Sequence, residues 1–182
     1  MRYEYRLIFR VLVAILFRPQ IFYLIFTYPT IIVSFILLKL FGYNVIKEGT
    51  SLVVNNVTLN FVEACVASSA YYLLLFLILL TKDIKLKTMI DMFLLGSIII
   101  FIVNIIRIFI LIVILLAKGY DWFNLIHLTF WYGVASVLVF LVWIYLTKKY
   151  RIKSIPVYSD VLYLISKIKK NKKKTKRKNK KK

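Results

Sequence analysis

Reactive side chains are scarce in this 182-residue chain: one cysteine, one histidine, and seven Asp and Glu together, with three prolines and five glycines. A single cysteine excludes an intrachain disulfide, so the redox compartment is not legible from it. Acidic residues are outnumbered by 27 Lys and Arg, giving a net charge of +20. The N-terminal apolar run continues without a small-residue cleavage site, so no cleavable signal peptide is expected. What is abundant is apolar: 62% of residues are hydrophobic and the mean hydropathy is +0.82. Such a composition excludes an ordinary soluble domain and defines one integral membrane domain.

Four segments are long enough to cross a bilayer, since a spanning helix needs roughly 20 apolar residues. They are Ile21–Gly42, in which Pro29 is expected to introduce a kink, Phe61–Leu80, Met89–Leu116 and Ile126–Leu146. Thr88 and Asp91 form a capping-box-like start to the third. The stretch Leu7–Phe17 is too short to span. With Arg2, Arg6 and Arg10 on one stripe, it reads as an interfacial helix. The sequence therefore predicts an all-α integral membrane protein of four transmembrane helices. Its parts are a basic interfacial segment over 1–20, a transmembrane catalytic domain over 21–146 and a basic tail over 147–182.

The distribution of basic residues orients it. Four arginines lie before the first span, three lysines lie in Thr81–Lys87, and the remaining excess follows Leu146. The other two loops, Tyr43–Asn60 and Ala117–Leu125, hold only Lys47 and Lys118. The positive-inside rule then puts both termini in the cytoplasm. In the tail Lys167–Lys182, 12 of 16 residues are basic, a composition expected to stay disordered and to bind anionic lipid. Nucleic acid is a less favoured partner for it. The external loop Tyr43–Asn60 alternates apolar and polar residues as a short hairpin does, and it carries the glycosylation sequon Asn56-Val57-Thr58.

With so few polar side chains at membrane depth, each one counts. Cys65 lies about one turn inside the outer end of the second span, and His127 at the outer start of the fourth. Arg107, in Asn104-Ile-Ile-Arg107, falls about one turn below the outer end of the third. A spanning arginine costs about 2.5 kcal/mol or more to insert and needs a reason. Chemistry offers one. A nearby cation turns a thiol into a nucleophilic thiolate, an imidazole protonates a leaving amine, and a guanidinium donates to an oxyanion. Cys65, Arg107 and His127 thus form a complete acyl-transfer set, with no cofactor or metal expected.

Plainer readings stand beside this one. A lone cysteine in a helix is commonly a small hydrophobe, and a histidine at a helix start an interfacial residue. Arg107 can snorkel towards an aromatic belt containing Tyr120, Trp122 and Phe123. Asn104 serves either as interhelical glue or to orient the guanidinium. Ser68 and Ser69 read as packing residues, and Glu63 as a helix cap near the interface.

The order of these motifs resembles the exosortase/archaeosortase family of membrane transpeptidase-like enzymes. The resemblance rests on Glu63-Ala-Cys65, Asn104-Ile-Ile-Arg107 and His127 within HLTFWYG, and it covers Phe61 to Leu146. One departure is VASS after the cysteine, where many members carry a glycine; it leaves the local helix geometry open. The resemblance implies a membrane-bound thiol protease or transpeptidase with Cys65, Arg107 and His127 catalytic and Asn104 and Glu63 supporting. Its partners would be surface proteins ending in a short motif, a spanning helix and a basic tail. Those proteins would be cleaved near the outer face through a thioester, with membrane lipid as a possible acyl acceptor. The competing classes are a membrane insertase with a ribosome-binding tail and an accessory membrane protein. The insertase class leaves Cys65 and His127 idle.

Overall fold

The computed structural model describes residues 18–81 and 84–152; the basic segment before Arg18 and the tail from Lys153 lie outside the described residues. Helix α1 (Pro19–Leu40) starts with proline at its first helical position, where the missing N–H costs nothing. It runs on through Pro29 without a break in the helix. Gly42, at φ +82°, turns the chain out of it.

A three-stranded antiparallel meander follows: β1 (Val45–Glu48), β2 (Ser51–Val54) and β3 (Val57–Asn60). The loop expected as a hairpin therefore carries one strand more. Both tight turns follow from their residues. Gly49 takes a positive φ between β1 and β2, and Asn55 and Asn56 both do so between β2 and β3, as a type I′ turn requires. Asn56, the sequon asparagine, is exposed at that turn. Leu52 and Val54 point inward, and with Val45 they join Ile31, Leu38, Phe61, Ile108 and Ile112 in one apolar cluster. The sheet is thereby seated on α1 and on the long helix α4 (Leu86–Lys118).

The expected second span, Phe61–Leu80, is not one helix. A single turn, α2 (Glu63–Val66), ends at Ala67, and α3 (Ser68–Leu80) starts afresh after it. With 13 residues, α3 is about 20 Å long, short of the ~30 Å hydrocarbon core. Helix α4, by contrast, has 33 residues. It begins at Leu86 with Lys85 at the N-cap and no side-chain cap bond, so Thr88 lies inside the helix and does not start it. Beyond Gly119 come α5 (Tyr120–Thr129), a π-helical segment over Phe130–Val134 and α6 (Ala135–Lys149). The fold is mostly helical, and among the described residues two helices, α1 and α4, are long and apolar enough to cross a membrane.

A second apolar cluster sits where α1, α3, α4 and α6 meet, around Tyr71, Leu74, Ile78, Met92, Ile100, Val139 and Leu146. Phe26 stacks on Tyr71 with ring centroids 3.9 Å apart and planes 4° from parallel. Gly96 lets three helices approach closely. A Cβ there would come within 2.6 Å of Leu74 Cδ2 and 2.9 Å of Leu146 Cδ1, both on fully buried side chains. Gly96→Ala is therefore expected to destabilise by about 1–3 kcal/mol through overpacking. Thermal unfolding in detergent, compared with wild type, measures it.

Candidate active site

The break at Ala67 shapes the site. Ala67 sits at φ +59°, ψ +35°, the left-handed region that an L side chain enters at a cost of about 1–2 kcal/mol. Its N–H still bonds the Glu63 carbonyl, but the helix goes no further. The carbonyls of Ala64 and Cys65 thus lose the i+4 partners an unbroken helix would supply. Helix α4 satisfies them from the side. Arg107 Nη2 donates to the Ala64 carbonyl at 2.7 Å and lies 3.4 Å from that of Cys65. Asn104 Nδ2 donates to the Cys65 carbonyl at 2.8 Å. The N-x-x-R spacing explains the pair: residues three apart lie on one helix face, so both side chains reach the same turn.

Arg107 does not snorkel to water; it is 6% exposed. The Phe130 ring, in the π segment, lies against the guanidinium carbon at 5.5 Å. A π turn inserts one extra residue and rotates the following helix by roughly 100°. It thereby lets His127 and Phe130 serve α4 while α6 packs on α3. Arg107 Nε is buried with no acceptor among the described residues. This N–H shares one edge of the planar guanidinium with Nη2, the nitrogen that bonds the cysteine turn.

Cys65 is half-buried, and its sulfur lies 3.9 Å from the Asn60 carbonyl at the end of β3. Cys65, Arg107 and His127 line one open pocket of about 430 Å³, together with Asn60, Phe123 and apolar side chains of α4. His127, also half-buried, stacks on Phe123 one helical turn away, with centroids 5.5 Å apart and planes 13° from parallel. Three residues 20 to 62 positions apart in sequence are thus gathered at one cavity. Glu63 is not among them. It is exposed in the first turn of α2, the end of a helix where a carboxylate is favoured. Ser68 is buried and Ser69 is exposed. The Ser68 hydroxyl donates to the Glu63 carbonyl at 3.4 Å, bracing the break.

Asn60 and Phe130 were not among the residues singled out by sequence. The only signals were their places, one five residues before the cysteine and the other three after the histidine. The departure noted at VASS also finds its geometry: Ala67 occupies a conformation that glycine adopts freely. Ala67→Gly is expected to raise stability by about 0.5–1 kcal/mol, strain relief exceeding the added unfolded-state entropy. Ala67→Val is expected to lower it, and paired thermal melts distinguish the two.

The model of the transmembrane exosortase family (Exosortase_EpsH) matches residues 3–147, and the chain belongs to that family. The match reaches well upstream of Phe61, where the motif resemblance began. No curated protein and no solved structure matches the chain. Family membership makes this a membrane protein with a role in protein sorting.

Proposed function

We propose that the protein is a thiol transpeptidase or protease that cleaves C-terminal sorting signals of surface proteins. The observation that carries this reading is the shared pocket of Cys65, Arg107 and His127, with the arginine held against the cysteine turn. The Cys65 sulfur attacks the scissile carbonyl, forming an S–C bond as the peptide C–N bond breaks. A guanidinium held against the Cys65 turn offsets part of the cost of carrying the anion out of water. Arg107 Nε is the donor left for the oxyanion of the tetrahedral intermediate. His127 gives its proton to the leaving amine. An acceptor, a lipid nucleophile or water, then gives its proton back to His127 and bonds the acyl carbon as the S–C bond breaks, restoring the thiolate. Ile108, Leu111 and Ile112 line the same pocket as the sulfur and give it an apolar wall.

The substrate end that fits is a short motif followed by a spanning helix and a basic tail, lodged beside α1 and α4. Four crossings, with both termini cytoplasmic and the pocket towards the outer face, complete the reading. The test is co-expression with such a surface protein. Wild type shortens it and shifts its mobility, and a Cys65 variant leaves it full length. For topology, single cysteines on a Cys65→Ala background are treated with an impermeant maleimide. Position 56 is expected to label from outside intact cells and position 85 only after permeabilisation. Labelling of position 85 from outside would overturn the orientation.

A further inference from the structure

We propose that β3 is the docking edge for the substrate, an extended peptide segment that pairs with it as a fourth strand. This rests on the reading of Cys65 as nucleophile, and it assigns how the peptide reaches the sulfur. The sheet order is β1-β2-β3, so β3 has one paired edge and one open edge among the described residues. Its register settles which groups face outward. The Phe61 N–H donates to the Thr50 carbonyl at 3.3 Å, making that pair hydrogen-bonded. Alternation along the ladder then gives Leu52↔Leu59 and Val54↔Val57 the bonds to β2. The backbone groups of Thr58 and Asn60 therefore point away from β2, along the open edge.

That edge leads directly to the site. The Asn60 carbonyl lies 3.9 Å from the Cys65 sulfur, and Leu59 and Asn60 both line the cysteine pocket. Thr58 and Asn60 are exposed. A peptide laid along this edge gains main-chain bonds from Thr58 and presents its backbone carbonyl at Cys65. Strand addition draws its affinity from main-chain bonds common to any sequence, and side-chain choice then falls to the apolar pocket. A segment just outside a spanning helix of the sorted protein is free to extend in this way.

The probe is a pool of acetyl-tripeptide chloromethyl ketones with randomised side chains, compared with iodoacetamide on full-length protein in membranes. In the ketone reaction the Cys65 S–C bond forms, chloride leaves and the thiol proton passes to solvent. Wild type is expected to react saturably with the pool and without saturation with iodoacetamide. Thr58→Pro removes an outward N–H that β2 does not use. It is expected to cut the pool's advantage about tenfold, the equivalent of one strong main-chain bond, while the iodoacetamide rate holds. Thr58→Val, which removes the sequon hydroxyl but keeps the N–H, is expected to behave as wild type. Should Thr58→Pro misfold, an N-methylated pool deletes the same bonds from the peptide side on wild-type protein, and its advantage is expected to vanish. A pool advantage unchanged by Thr58→Pro or by N-methylation overturns strand pairing. So does an advantage that grows on dilution, which would mark a second copy seated on β3. None of these results bears on whether Cys65 is the nucleophile, because processing of the sorted protein by Cys65→Ser tests that separately.

Discussion

Cys65→Ser is expected to abolish processing of the sorted protein while leaving enzyme abundance at the wild-type level. Serine preserves size and position, and the Cys65 carbonyl keeps its bonds from Asn104 and Arg107. What is lost is the acidity of the thiol, because a hydroxyl leaves almost no anion at neutral pH. His127→Ala is expected to lower turnover by about 100-fold or more, since the leaving amine then departs without its acid. The two losses should not add. Residues serving one transition state fail together, so Cys65→Ser combined with His127→Ala should be no worse than Cys65→Ser alone. A mobility-shift assay across wild type and the three variants, with immunoblots for abundance, reads both the loss and its non-additivity. Processing by His127→Ala at the wild-type rate would mean that the histidine acts elsewhere.

Arg107→Lys is expected to cost nearly as much, and to cost stability as well. An ammonium keeps the charge but loses the planar fork, which here binds the Ala64 carbonyl while lying edge-on to the cysteine turn. Each buried carbonyl left without a donor costs about 1–3 kcal/mol, so the turn bearing the nucleophile loosens. Turnover is expected to fall by about 100-fold or more, as when an oxyanion donor is removed. Asn104→Ala separates the two contributions. It leaves the guanidinium in place and removes only the shorter of the two bonds to the Cys65 carbonyl, so Asn104 acts as a positioning residue. Its turnover should fall less than that of Arg107→Lys. Alkylation of Cys65 by iodoacetamide should change in rate for both variants, a readout that a purely distant packing role would not move.

The arginine, the cysteine and the histidine were legible because the sequence offers so few alternatives. A chain with one thiol and one imidazole hands over its candidates directly, and N-x-x-R spacing places two polar groups on one helix face. The first turn of the sheet was likewise legible at Gly49, whereas Asn56 was read only as part of a sequon and the turn at Asn55-Asn56 was missed. The break at Ala67 was not, because neither glycine nor proline marks it. An alanine is left-handed there, and α4 reaches across to take the freed carbonyls. Such a contact joins residues about 40 positions apart, and no local pattern reports it. The same holds for the π segment, where FWYGV offers apolar residues that suit an α-helix as well. Four apolar segments were equally plain by composition. Composition did not say that one is split into a single turn and a short helix.

The role of Arg107 changes most between sequence and structure. Sequence presents a cation near a thiol. The folded chain shows one guanidinium edge carrying two tasks, with Nη2 holding the cysteine turn and Nε left over beside it. An insertion cost of a few kcal/mol for that arginine is then offset by the carbonyls it satisfies, independently of catalysis.

The covalent intermediate gives the most direct test. Wild-type enzyme is mixed with the sorted protein, quenched in acid and analysed by intact mass. The expected result is an adduct on Cys65 equal to the acyl portion of the substrate, released by neutral hydroxylamine and absent from Cys65→Ser. Cleavage of the sorted protein with no Cys65 adduct, accompanied by full processing in Cys65→Ser, would contradict the thioester mechanism.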